Sequence, residues 1–97
     1  MLFAIRATDK DAGLQTRLAT RQEHIAYLRS LGETVKIAGP FVQSGPDDPN
    51  GTLVIVEADD MAAAEELAAN DPYAKAGLFQ SVEIRPWIWT VGAPAGG

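Results

Sequence analysis

The stretch Arg17–Leu31, RLATRQEHIAYLRSL, sets how the rest of the chain is read, because it carries the only histidine. Extended back to Leu14, it places Leu14, Leu18, Ile25 and Leu28 in a narrow arc at about 100° per residue, the mark of one buried helical face. Gly32 follows, and glycine takes the left-handed conformation without steric cost, so the helix is expected from Ala12 or Gly13 to Leu31. His24 lies about 65° from the centre of the apolar stripe, on its border. Arg21 falls near the centre, with Arg17 one turn earlier on the His24 side. Arg17, Arg21 and His24 thus form a ridge at i, i+4 and i+7. An arginine at a buried angle needs an anion from the protein or from a ligand, unless its stem carries the charge out to water.

Working outward, Leu2–Ala7 is a short apolar segment that reads as a strand, closed by the polar break Asp9-Lys10-Asp11. After the helix, Thr34–Val42 reads as a second strand, and Ser44–Gly51 is a run of turn formers. Thr52–Glu57, TLVIVE, is apolar at consecutive positions and is expected to be buried on both faces. Asp59 or Asp60 then caps a helix over Met61–Ala69. Asp71 precedes Pro72 and Gly77 follows, as in a very short capped helix. Phe79–Thr90 is the last strand, and Val91–Gly97 is a flexible tail of small residues and proline.

The order is β-α-β-β-α-β, with no repeat and no linker. A single α+β domain over residues 1–90 follows, with a four-stranded antiparallel sheet in the ferredoxin-like, split βαβ arrangement. That topology puts the second and fourth strands at the edges, where Pro86 is tolerated. Two helices cover only one sheet face. Leu53–Val56 nevertheless are apolar toward both, and the last strand sends Val82, Ile84 and Ile88 one way and Trp87 and Trp89 the other. A bare apolar face of this kind marks an interface. The expected partner is a second copy, giving a homodimer packed sheet to sheet with Trp87 or Trp89 near the seam.

Composition excludes several classes. Eight Lys and Arg against thirteen Asp and Glu give a net charge of −5, and the basic residues are scattered, so no nucleic-acid surface is expected. No apolar run is long enough to span a membrane, and the N-terminal one does not read as a leader. The absence of cysteine removes thiol catalysis, thiolate metal sites and disulfides, and makes a cytoplasmic location the default. With one histidine and no cysteine, no metal site is expected, and Asp47-Asp48 read as turn residues.

Proton-transfer chemistry near neutral pH would fall to His24, since histidine alone titrates there unperturbed. Asp71 is the second candidate. A capping carboxylate at a helix N-terminus stays ionised, and beside an imidazole it would also fix the ring's tautomer. Spacing alone does not bring the two together.

Three motifs in order are Arg21, His24, Tyr27 and Leu28 in RQEHIAYL, then Gly39-Pro40, then Asp71-Pro72-Tyr73. Over residues 1–89 the chain resembles the YciI-like family of the dimeric α+β barrel superfamily. The resemblance implies a ferredoxin-like protomer pairing sheet to sheet, and His24 and Asp71 meeting in a pocket as a suspected catalytic dyad. Relatives eliminate chloride from a chlorinated hydroxyhydroquinone, isomerise muconolactone or oxygenate aromatics without a cofactor. The leading expectation is a cofactor-free lyase or isomerase for a small anionic or phenolic substrate. His24 would be its acid or base and Asp71 its orienter, with Arg21, Arg17 and Tyr73 on the substrate. The alternatives are a non-catalytic dimeric small-molecule-binding or accessory module, and, ranked last, a cofactor-independent oxygenase.

Overall fold

The computed structural model describes residues 1–94. The chain runs β1 (Leu2–Asp9), α1 (Leu14–Ser30), a 3₁₀ turn (Gly32–Thr34), β2 (Val35–Val42), β3 (Pro49–Glu57), α2 (Met61–Ala69), α3 (Pro72–Lys75) and β4 (Phe79–Trp87). The strands form one antiparallel sheet in the order β2-β3-β1-β4, so β2 and β4 are its edges. This is the ferredoxin-like α+β fold. No described helix is long and apolar enough to cross a membrane.

Local chemistry explains the boundaries. Gly32 ends α1 at φ +57°, the left-handed turn that glycine permits. Asp60 rather than Asp59 caps α2, its carboxylate accepting the Ala63 N–H at 2.8 Å. β3 begins at Pro49, earlier than Thr52, because β2 pairs with it down to Val42 opposite Pro49. β4 stops at Trp87 rather than Thr90. Its partner β1 starts at Leu2, which lies opposite Trp87, so Ile88 finds no strand to bond and is 76% exposed. Of the C-terminal tail, Val91–Pro94 are exposed and without regular structure, and 95–97 lie outside the described residues.

Phe3 and Ile5 of β1, with Val54 and Val56 of β3, face the helices and pack with Ala58, Ala64 and the half-buried Leu28, Leu67 and Ile84. Each large side chain so buried contributes about 1.5–3 kcal/mol. The register puts Leu2, Ala4, Ile37, Phe41, Leu53, Ile55 and Trp87 on the helix-free face. Ile37 and Phe41 remain substantially exposed there. Ile55 is buried even so, flanked in register by Ala4 and Ile37 rather than covered by a helix.

α1 does not lie on its leucine stripe. Leu14 and Leu18 are 38% and 53% exposed, and the helix's fully buried residues are Arg17 and His24. Relative to the leucine arc, the helix is rolled so that the buried arc is centred on His24. Arg21, near the middle of the leucine arc, is therefore exposed. The roll follows from docking. α1 packs against α3, whereas α2 packs over β1 and β4. A cavity is left between α1 and the β2–β3 hairpin, and Leu18, Arg21 and Ile25 line it rather than the core.

Candidate functional site

Asp71 is held by the chain reversal between α2 and α3. Its backbone is extended at φ −62° and ψ 129°, and Oδ1 accepts the Tyr73 N–H at 2.9 Å, capping α3 with Pro72 in the first turn. The same carboxylate meets His24, whose Nδ1 lies 2.8 Å from Oδ1 and 3.0 Å from Oδ2. An ionised carboxylate only accepts, so Nδ1 is the donor and the neutral imidazole carries its proton there. Both side chains are over nine-tenths buried. Nε2 has no partner among the described residues and His24 lines the cavity. The ring is fixed from the side as well, stacked on Tyr73 at 4.0 Å between centroids and 16° between planes.

Arg17, two turns earlier, is 4% exposed, and the anion that its buried position demands comes from the protein. Its Nε donates to Asp9 Oδ2 at 2.7 Å, and Nη2 donates to Asp9 Oδ1 at 2.9 Å and to Thr52 Oγ1 at 2.8 Å. This is the bidentate fork that suits guanidinium to carboxylate. Asp9 offsets the cost of burial and holds the guanidinium above its usual pKa, so Arg17 stays charged. Its Cζ lies 4.6 Å from the centre of the Tyr73 ring, a cation–π distance. Tyr73, 1% exposed, also meets Phe79 edge-on at 6.1 Å. Burial pushes its phenol above the usual range and Asp71 adds to this, while the Arg17 and Arg21 charges oppose it. Tyr27, the aromatic of the helix motif, donates to the Leu67 carbonyl at 2.7 Å and so ties α1 to α2. Burial raises its pKa too, with Asp71 and Glu66 adding.

The cavity beside these groups has a volume of about 300 Å³. One wall is α1, from Arg17 through His24 and Leu28 to Arg29. The other is Ala38, Gly39 and Pro40 of β2 with Pro46 and Pro49, and Thr52 and Tyr73 close the inner end. The structure thus brings His24, Asp71, Arg17 and Tyr73 into one network and places Arg21 on the rim. Tyr73 offers the cavity little surface and forms the wall behind the imidazole. Asp9, Thr52 and Arg29 were not anticipated. Asp9 reads as a turn residue, and nothing in its spacing to Arg17 signals a pair made through tertiary packing.

The fold and this buried network define the class, a ferredoxin-like α+β protein with a pocket under its first helix that is mostly apolar and carries arginines and one histidine. The match to the YCII-related domain covers residues 1–88. Protein YciI of Escherichia coli O6:H1 is 35% identical over 94 residues, covering 90% of this chain and 96% of that protein. An uncharacterized protein of Haemophilus influenzae is 33% identical over the same shares. Among solved structures, 5-chloro-2-hydroxyhydroquinone dehydrochlorinase (TftG) of Burkholderia phenoliruptrix AC1100, in complex with 2,5-dihydroxybenzoquinone, superposes at a TM-score of 0.86 with 34% identity. That match covers 91% of this chain and 94% of that one. The chain belongs to the YCII-related family.

Asp9→Ala should cost about 3–5 kcal/mol, because it strands a buried guanidinium. The double variant Asp9→Leu/Arg17→Met should recover most of that loss, since it leaves no charge unpaired. Urea midpoints at constant slope measure both. A loss below about 1 kcal/mol in the single variant would show the pair to be solvated and dispensable.

Proposed function

We propose that this protein is a small cofactor-independent enzyme of the lyase or isomerase type, acting on a small anionic or phenolic substrate by proton transfer through a His24–Asp71 dyad. The observation that carries the reading is the division of labour on one imidazole. Nδ1 is held by a buried carboxylate, while Nε2 is left toward a cavity large enough for a single-ring molecule. Such a ring can take a proton at Nε2 as general base and return it as general acid, while Asp71 keeps it in the required tautomer and balances the imidazolium. Arg21 at the rim supplies the positive charge that stabilises an anionic substrate or a developing phenolate, while Arg17, paired with Asp9, backs the inner end of the cavity. Tyr73 backs the imidazole. The similarity to a dehydrochlorinase bound to a quinone supports a phenolic substrate.

We also propose that the working unit is a homodimer closed through the helix-free sheet face, where Ile37 and Phe41 are 45% and 38% exposed. Sedimentation velocity at micromolar concentration should give a dimer, and a monomer there would remove this element.

For the chemistry, a panel of hydroquinones, halogenated phenols and lactones would be followed for solvent deuterium exchange and for halide release or isomerisation. His24→Ala should abolish turnover in a chain that still folds, though less stably because Asp71 loses its partner, and Asp71→Asn should lower turnover by about 10²–10⁴-fold. A His24→Ala variant as active as the parent would contradict the mechanism. Binding of panel members with neither exchange nor turnover would make the protein a small-molecule-binding module instead.

A further inference from the structure

The cavity's charge pattern differs from that of the chain around it. The protein carries a net charge of −5, yet three arginines and the histidine line the cavity and no carboxylate does. Arg17 is neutralised by Asp9, and the His24 imidazole is engaged at Nδ1 by Asp71. Arg21 and Arg29 are not, for among the described residues no carboxylate stands within ion-pair distance of either. They are eight positions apart on α1 and line the same cavity. At 1.5 Å per residue they are about 12 Å apart along the helix axis, with Ile25 and Leu28 between them.

The facing wall limits what can lie there. Three of the five residues there, Pro40, Pro46 and Pro49, have no N–H to donate, so that wall offers a ligand mainly apolar surface and rigid backbone. The positive side chains free to match negative groups are on the helix side, at the two arginines, and the space between suits a short hydrocarbon chain or one ring. From these observations we infer that the cavity takes a dianion: two acidic groups, one at Arg21 and one at Arg29, in a molecule about six carbons long with both carboxyl carbons counted, so that four methylenes or one ring lie between them. The six-carbon length follows from allowing about 3 Å for a charge-assisted hydrogen bond at each end of the 12 Å span.

This rests on the proposed site and specifies its substrate class. It also fixes the ligand's direction. His24 is about 4.5 Å from Arg21 along the axis and about 7.5 Å from Arg29, so the proton exchanged at Nε2 lies near the acid group held by Arg21. The Arg29 end is remote from the chemistry and contributes binding that is equal in ground and transition states, which lowers KM without raising kcat.

Adipate and hexanoate are the test pair, having the same carbon count and differing by one carboxylate. Their affinities for the full chain would be measured by isothermal titration, with ¹H–¹⁵N amide shifts confirming where they bind. Adipate should bind at least about tenfold more tightly, the worth of one charge-assisted contact, and its advantage should shrink as salt is raised. Arg29→Gln should bring adipate down to the level of hexanoate while leaving hexanoate unchanged, and Arg29→Lys should retain part of the difference. Arg21→Gln should weaken both ligands. Equal affinities in the parent protein, no binding of either ligand, or an adipate advantage that survives Arg29→Gln would overturn the inference.

The readout needs no turnover, which separates it from the proposed reaction. Dianion selectivity in a protein that catalyses nothing would sink the reaction and keep this inference. Turnover of a monoanionic phenol without dianion selectivity would do the reverse.

Discussion

Arg17 and His24 stand two turns apart on α1, and each meets a buried carboxylate brought from elsewhere in the chain: Asp9 at the end of β1 and Asp71 at the start of α3. These two pairs determine how the first helix sits. A helix docked on Leu14, Leu18, Ile25 and Leu28 would close against the sheet. Docked instead on its polar edge, it stands away from the β2–β3 hairpin and leaves the cavity. A site built in this way is costly if half-made, because either partner left alone is a buried unpaired group. No buried side-chain nitrogen or oxygen among the described residues lacks a partner.

Tyr73 links the two pairs into one unit. Its backbone N–H caps onto Asp71, and its ring stacks on His24 and lies under the Arg17 guanidinium. A shift of any one of the four side chains is felt by the others. Proton-transfer chemistry requires this rigidity in an imidazole, whose reach to a substrate proton tolerates only a few tenths of an ångström. The same arrangement uses up the charge of Arg17 inside the protein and leaves Arg21 and Arg29 to face the cavity.

Much of this was legible in the sequence through local chemistry. The cap at Asp71-Pro72, the stop at Gly32 and the edge placement of Pro86 each follow from what one or two residues permit, and the element order then dictates the sheet. His24 stood out by being alone. The helical wheel misled because it weighs apolar residues and assumes they face the core, whereas Leu18 and Ile25 line a cavity. Asp9 and Thr52 were illegible for another reason: their bonds to Arg17 span 8 and 35 residues and exist only once β1, β3 and α1 have packed. Arg29 looked like any basic residue in the last turn of a helix, where the dipole alone would justify it.

On the proposed mechanism Asp71 holds the proton of the neutral imidazole on Nδ1 and leaves Nε2 free in the cavity. The most direct measurement is the ¹⁵N spectrum of the His24 ring, correlated to its carbon-bound protons, at a pH where the imidazole is neutral. With only one histidine in the chain, the assignment is unambiguous. A protonated Nδ1 and an unprotonated Nε2 are expected, with that preference weakened in Asp71→Asn. A proton on Nε2, unaffected by the Asp71 substitution, would contradict it.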